Sequence, residues 1–159
     1  MNINIVSYNA RGLRVGHSEA DKSRRLAVDK LLEACDLLCV QETFLSKQDL
    51  EGLNSLHKDF YGAGESTTDL STRIVHGRIP GGVALLWHKK YDQLVKVVRL
   101  GVDWAIGIEF NCGAKNFIIL NIYTPYECSQ YDDEYLDIWL VSCLSFKITL
   151  PRASLLWVI

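Results

Sequence analysis

The 159-residue sequence is short of several things that would define a function class at once. It has no excess of positive charge: 17 lysines and arginines stand against 19 acidic residues, a formal net charge of −2, so no global field holds a polyanion and any nucleic-acid contact must be local. It has five cysteines, Cys35, Cys39, Cys112, Cys128 and Cys143, an odd set without a C-x-x-C pair. That excludes a disulfide framework and leaves zinc without ligand spacing, so the thiols read as small buried hydrophobes in a reducing compartment. The start, Met-Asn-Ile-Asn-Ile, has neither a basic region nor an apolar run of signal-peptide type. The expected location is intracellular, nuclear or cytoplasmic, and not secreted. No apolar stretch reaches about 20 residues, the length a membrane-spanning helix needs. Lys147, Pro151 and Arg152 interrupt the apolar residues 138–144 and 155–159. There is no G-x-S-x-G elbow, no H-E-x-x-H helix and no P-loop.

What is present suffices for one folded domain. Hydrophobic residues make up 48% and charged residues 23%, within the globular range, and the length suits a single core. Residues 4–8 read as a β-branched strand running into the turn Asn9-Ala10-Arg11-Gly12-Leu13. Over 21–34, Leu26, Ala27, Leu31 and Ala34 recur at helical spacing among charged residues, predicting an amphipathic surface helix. Leu37-Leu38-Cys39-Val40-Gln41 is apolar without alternation, which predicts a strand covered on both faces, with Glu42 at its end. A second helix is predicted over 47–57, with Leu50, Leu53 and Leu56 on one side. Beyond it, residues 83–87, 94–100, 105–110 and 117–123 read as strands of a meander, and 64–80 as an exposed loop carrying Arg73, His76 and Arg78. The apolar ending Leu-Leu-Trp-Val-Ile reads as a truncated or spliced frame.

Three clusters of polar residues follow apolar strands: Ser7-Tyr8-Asn9-Ala10-Arg11-Gly12-Leu13, Val40-Gln41-Glu42-Thr43-Phe44-Leu45 and Leu120-Asn121-Ile122-Tyr123-Thr124-Pro125-Tyr126. Loops at strand ends of layered α/β proteins converge while the sheet stays rigid, so Asn9, Glu42 and Tyr123 are placed to meet. Taken singly, each has an ordinary alternative. Asn9 suits a turn, Tyr123 a packed strand-end aromatic, and Glu42 a carboxylate that caps backbone or pairs with Arg11 or Arg14. A lone glutamate at a strand end also suits Mg²⁺, which keeps several waters and takes one or two carboxylates plus phosphate oxygens.

In combination and in order, these motifs resemble those of the endonuclease/exonuclease/phosphatase superfamily. Ser7-Tyr8-Asn9-Ala10-Arg11-Gly12-Leu13 is similar to its asparagine motif, Gln41-Glu42-Thr43 to its metal-binding glutamate motif, and Asn121-Ile122-Tyr123-Thr124-Pro125 to its tyrosine motif. The strand start Gly81-Gly82-Val83-Ala84-Leu85-Leu86 lies between the last two. The phrasing is most like the endonuclease domain of non-LTR retrotransposons, with abasic-site repair endonucleases and pancreatic deoxyribonuclease as more distant relatives. The resemblance implies an α/β two-sheet sandwich of the deoxyribonuclease-like type, incomplete at the C-terminus. Residues 1–127 would be the N-terminal part of the domain and 128–159 a divergent or truncated segment.

It further implies that Glu42 binds Mg²⁺ or Mn²⁺, that Asn9 and Tyr123 serve the reaction at the metal and the scissile phosphate, and that Arg11 contacts substrate. The partner it implies is the DNA phosphodiester backbone, with no membrane and no obvious protein partner. The family's later Asp-X-Asn motif and Asp-His pair have no counterpart after Tyr126. Asp132-Asp133-Glu134-Tyr135 reads as a solvated helix start. His17, His57, His76 and His88 all precede the tyrosine motif and read as surface or partly packed side chains. A missing general base is worth about 10²- to 10⁴-fold, so the expectation is a metal-dependent endonuclease fragment with negligible turnover. A phosphatase of the same superfamily and a non-catalytic binding or remnant protein are the alternatives.

Overall fold

A computed structural model describes residues 3–13, 19–72, 79, 81–113 and 116–123, and the backbone of 153–158. β1 (Ile5–Asn9) is followed by α1 (Glu19–Ala34) and β2 (Leu37–Gln41). A first 3₁₀ helix (Leu50–Ser55) leads to β3 (Phe60–Glu65) and β4 (Val83–His88). A second 3₁₀ helix (Lys89–Leu94) precedes β5 (Val95–Arg99), β6 (Ala105–Asn111), β7 (Asn116–Ile122) and β8 (Ala153–Val158). The strands form two four-stranded sheets, ordered β1-β2-β4-β3 and β5-β6-β7-β8. β1 runs parallel to β2 and β7 parallel to β8, while every other pairing is antiparallel.

Side-chain alternation sorts the first sheet into two cores. Leu37, Cys39, Val83, Leu85 and Trp87 project from β2 and β4 against Ile106, Ile108, Phe110 and Ile119 of the second sheet. The residues between them, Leu38, Val40, Ala84 and Leu86, face the other way onto Val28 and Leu32 of α1 and onto Leu53, Leu56 and Phe60. β2 is buried at all five positions, as its unbroken apolar run predicts. Truncating one such buried leucine to alanine costs about 2–5 kcal/mol. Cys35 and Cys39 are free and buried, and burial pushes their thiols up to about 11 and about 12. Cys112, against expectation, is exposed.

The structure corrects three elements. The core stripe of α1 is Val28 and Leu32, flanked by Leu31, whereas Leu26 is 57% exposed and Ala34 is exposed too. The helix is rotated so that Arg25 ties it down: its guanidinium binds Asp29 at 3.1 Å and donates to the carbonyl of Leu56. The second predicted helix is a short 3₁₀ turn. Gly52, Asn54 and Ser55 are weak helix formers, and Asp49 is occupied by Ser46, whose amide and hydroxyl donate to it at 3.1 and 2.7 Å.

β3 was not among the predicted strands, and its last two residues, Gly64 and Glu65, fall in the stretch read as a loop; its glycines masked it. Gly62 and Gly64 stand where Leu53 and Leu50 crowd the sheet: a Cβ on Gly62 would lie 2.9 Å from Leu53 Cβ, and one on Gly64 2.9 Å from Leu50 Cδ2. Near the end of the sequence Ala153–Val158 form β8, which pairs with β7 from Asn116↔Ala153 to Asn121↔Val158. The expectations for His17, Arg73, His76 and Arg78, for the acidic run 132–135 and for the apolar residues 138–144 lie outside the described residues. No helix among the described residues is long and apolar enough to cross a membrane.

Candidate functional site

β1 and β2 are parallel and in register from Ile5↔Leu37 to Asn9↔Gln41, so both chains leave the sheet side by side. Pairing continues past the strands: the amides of Ala10, Gly12 and Leu13 donate to the carbonyls of Gln41, Glu42 and Thr43 at 3.0, 2.8 and 2.8 Å. On the other side, Thr43 and Phe44 donate to the carbonyls of Gly82 and Gly81 at 3.1 and 2.9 Å. The Glu42 segment is thus held between two loops.

This junction is where the backbone is strained. Arg11, Glu42 and Phe44 have φ of 49°, 51° and 52°, a left-handed region that costs a non-glycine residue about 1–3 kcal/mol and persists only where the surroundings enforce it. For Glu42 the consequence is directional. Strand alternation would aim residue 42 away from Gln41, toward the face that α1 covers; the left-handed turn redirects it. Its Oε1 instead accepts from Asn9 Nδ2 at 2.8 Å and from Tyr123 Oη at 3.1 Å.

The structure therefore brings Asn9, Glu42 and Tyr123 together. Asn9 is the turn residue and a Glu42 partner at once, because its Oδ1 also accepts the backbone amide of Arg11 at 3.2 Å. Arg11 itself is exposed beside the cluster. Tyr123 extends β7, its amide held by the carbonyl of Trp104 at 2.9 Å. Its ring packs on the inter-sheet core. Burial, then the hydrogen bond to Glu42 and that group's charge, raise the phenol above its ordinary value, so it stays protonated as a donor through the neutral range.

Both of these bonds fall on one oxygen, so neither donor occupies Glu42 Oε2. Among the described residues no three His, Cys, Asp or Glu side chains cluster. A single half-buried carboxylate flanked by an amide suits a hard, largely hydrated cation such as Mg²⁺ rather than a thiolate- or imidazole-seeking one.

Beneath the cluster lies a layer that motif reading passed over. Gln41 Nε2 donates to Asn121 Oδ1 at 2.6 Å and to Ser7 Oγ at 3.1 Å, and Asn121 Nδ2 donates to the carbonyls of Val40 and Ala84 at 2.9 and 2.8 Å. The signal was there: Ser7 and Asn9, and Asn121 and Tyr123, are polar pairs two apart on strands that are otherwise apolar on that face.

The profile of the Endonuclease/Exonuclease/phosphatase family matches residues 6–147, which spans all three motifs. The chain belongs to that family. Its two sheets have the deoxyribonuclease-like sandwich of solved members. The catalytic domain of human Nocturnin, solved with a bound sulfate anion, is 16% identical with a TM-score of 0.62, covering 98% of this chain and 62% of that one. AP endonuclease LMAP from Leishmania major is 12% identical with a TM-score of 0.68, covering 98% and 54%. TDP2 from C. elegans is 14% identical with a TM-score of 0.60, covering 96% and 45%. At such identities the likeness concerns the fold, and the chain spans between 45% and 62% of these three structures. No curated protein matches the chain.

Proposed function

We propose that Glu42, Asn9 and Tyr123 form the metal-binding side of a divalent-metal phosphodiesterase centre directed at DNA, in a chain of the retrotransposon-endonuclease type. The observation that carries this reading is the convergence of Asn9 Nδ2 and Tyr123 Oη on one oxygen of Glu42. The family match, the names of neighbours such as an AP endonuclease, and the wording of the Gln41-Glu42-Thr43 and Asn121-Ile122-Tyr123 motifs support it.

In this reading Glu42 holds Mg²⁺ or Mn²⁺ through the oxygen that its two donors leave open. The metal, when bound, polarises the phosphoryl group and supports the charge that develops on it. Asn9 fixes the carboxylate's rotamer, and the protonated Tyr123 supplies a hydrogen bond to Glu42 or to a phosphoryl oxygen. Arg11, exposed at the rim, is placed to meet the phosphate backbone. Residues 1–127 carry these groups, while the Asp-X-Asn and Asp-His motifs that would position water and finish the reaction have no counterpart in the 159 residues. The chain by itself therefore binds metal without appreciable turnover.

The test pairs Mn²⁺ binding, followed by electron paramagnetic resonance, with nicking of supercoiled plasmid. The chain should bind Mn²⁺, Glu42→Ala should not, and neither should nick. Equal binding by Glu42→Ala refutes the metal role. Nicking that Glu42→Ala abolishes refutes the claim of no turnover and places the remaining catalytic groups within this chain.

A further inference from the structure

On their inner faces β1, β2, β4 and β7 are apolar over most of their length, with Ile5, Leu37, Cys39, Val83, Leu85, Phe117 and Ile119 facing the inter-sheet core. At the end nearest Glu42 that pattern breaks, and the break is a bonded layer rather than scattered polarity. Asn121 is fully buried, and both polar atoms of its side chain are hydrogen-bonded. Two N–H groups go to Val40 and Ala84, which are register partners on the adjacent strands β2 and β4, and Oδ1 takes Gln41. One side chain of the second sheet is thereby bonded to two strands of the first.

We propose that Asn121 is a positioning residue that sets the register between the two sheets and so places Tyr123 and Glu42 in contact. Dispersion and hydrophobic contact between two apolar sheet faces are non-directional and tolerate sliding by a fraction of an ångström. Hydrogen bonds fail over the same distance, because geometry beyond about 3.5 Å forfeits them. Tyr123 lies two residues beyond Asn121 on the same face of β7, and Glu42 is the residue after Gln41. The Asn121–Gln41 bond is consequently one step below the Tyr123–Glu42 bond, and pinning the lower one fixes the upper.

The proposal rests on the reading of Glu42 as a metal ligand for its affinity readout, and a second readout is independent of metal. Asn121→Leu removes every bond at similar volume; Gln41→Met removes one and leaves the links to Val40 and Ala84. Circular dichroism establishes that each variant is folded. In Mn²⁺ titrations at a temperature well below melting, Asn121→Leu should bind about 10- to 100-fold more weakly than the parent chain, the range for residues that orient a ligand, with Gln41→Met falling less. In ultraviolet difference spectra at neutral pH, each taken against the same background carrying Tyr123→Phe, the Tyr123 absorption band, displaced in the parent by its hydrogen bond to Glu42, should move toward that of a free tyrosine in Asn121→Leu.

A folded Asn121→Leu with parental Mn²⁺ affinity and an unmoved Tyr123, while Glu42→Gln loses Mn²⁺, overturns the positioning role and leaves the metal reading standing. Parental Mn²⁺ affinity in Glu42→Gln overturns the metal reading instead, and the Tyr123 spectrum then decides the positioning role alone. Should Asn121→Leu not fold, Gln41→Met is decisive through the same two readouts: no change in either refutes the proposal.

Discussion

Gly82 has φ of +86°, and a Cβ at this position would sit 2.4 Å from Thr43 Oγ1, a side chain that is itself fully buried. Nothing there can yield cheaply, because the Gly82 carbonyl also accepts the Thr43 amide and so holds the strained segment on which Glu42 turns. Gly82→Ala should therefore cost about 1–3 kcal/mol. Gly52→Ala is the control: nothing lies within 4 Å of where its methyl would stand, and the change should stay within about 0.5 kcal/mol. Equal urea midpoints for the two variants would show that the strand-end junction is softer than its geometry implies. At this scale the site was legible in part. Asn9, Glu42 and Tyr123 were nameable from their motifs, but the left-handed turn that aims Glu42 was not. A residue's φ is set by what its neighbours bond to, and those neighbours lie at the ends of three other strands.

Among the elements, β3 and the first 3₁₀ helix show how glycine can mean close approach instead of flexibility. Phe-Tyr-Gly-Ala-Gly-Glu reads poorly as a strand, yet Gly62 allows the Leu53 side chain and carbonyl to come within 2.9 and 3.3 Å of where a methyl would stand. Gly62→Ala should lower stability by about 1–3 kcal/mol through overpacking, which for a domain of this size is roughly 2–4 °C in Tm per kcal/mol. A thermal melt unchanged from the parent would mean that the 3₁₀ helix rides loosely over the sheet. The strands β2, β4, β6 and β7 were readable because buried apolar runs are a local property of composition. The helix predicted over 47–57 was not, since apolar spacing alone does not distinguish an α-helix from a turn pinned by Asp49 and Gly52.

For the molecule as a whole, the end of the first sheet opposite the site is closed by Asp36. Its carboxylate accepts from the Asn4 amide at 2.9 Å and Tyr91 Oη at 3.3 Å, and pairs with Lys90 Nζ at 2.6 Å, joining the start of β1, the start of β2 and the second 3₁₀ helix. Burial alone would raise its pKa, but the hydrogen bonds from Asn4, Lys90 and Tyr91 outweigh that and hold the carboxyl below its ordinary value. A folded-state pKa below the unfolded one contributes stability that is present above the unfolded value, about 3.9, and is lost as pH falls through the folded one. Urea midpoints should thus fall from about pH 4 downward, and less steeply in Asp36→Asn. Parallel curves for the two proteins would assign acid sensitivity to other groups. Lys90, raised by its bond to Asp36, acts in the opposite sense, its contribution being lost only at strongly alkaline pH.

The sequence by itself determined the two-layer α/β class, the buried strands, the three strand-end motifs and the family to which they point, because each is carried by residue types at short range. Only the tertiary structure decided that Glu42 turns inward, that Asn121 spans the sheets to Val40 and Ala84, that β3 exists and that β8 lies along β7. Those outcomes depend on hydrogen bonds between segments as far as 81 residues apart, whose partners no local pattern specifies.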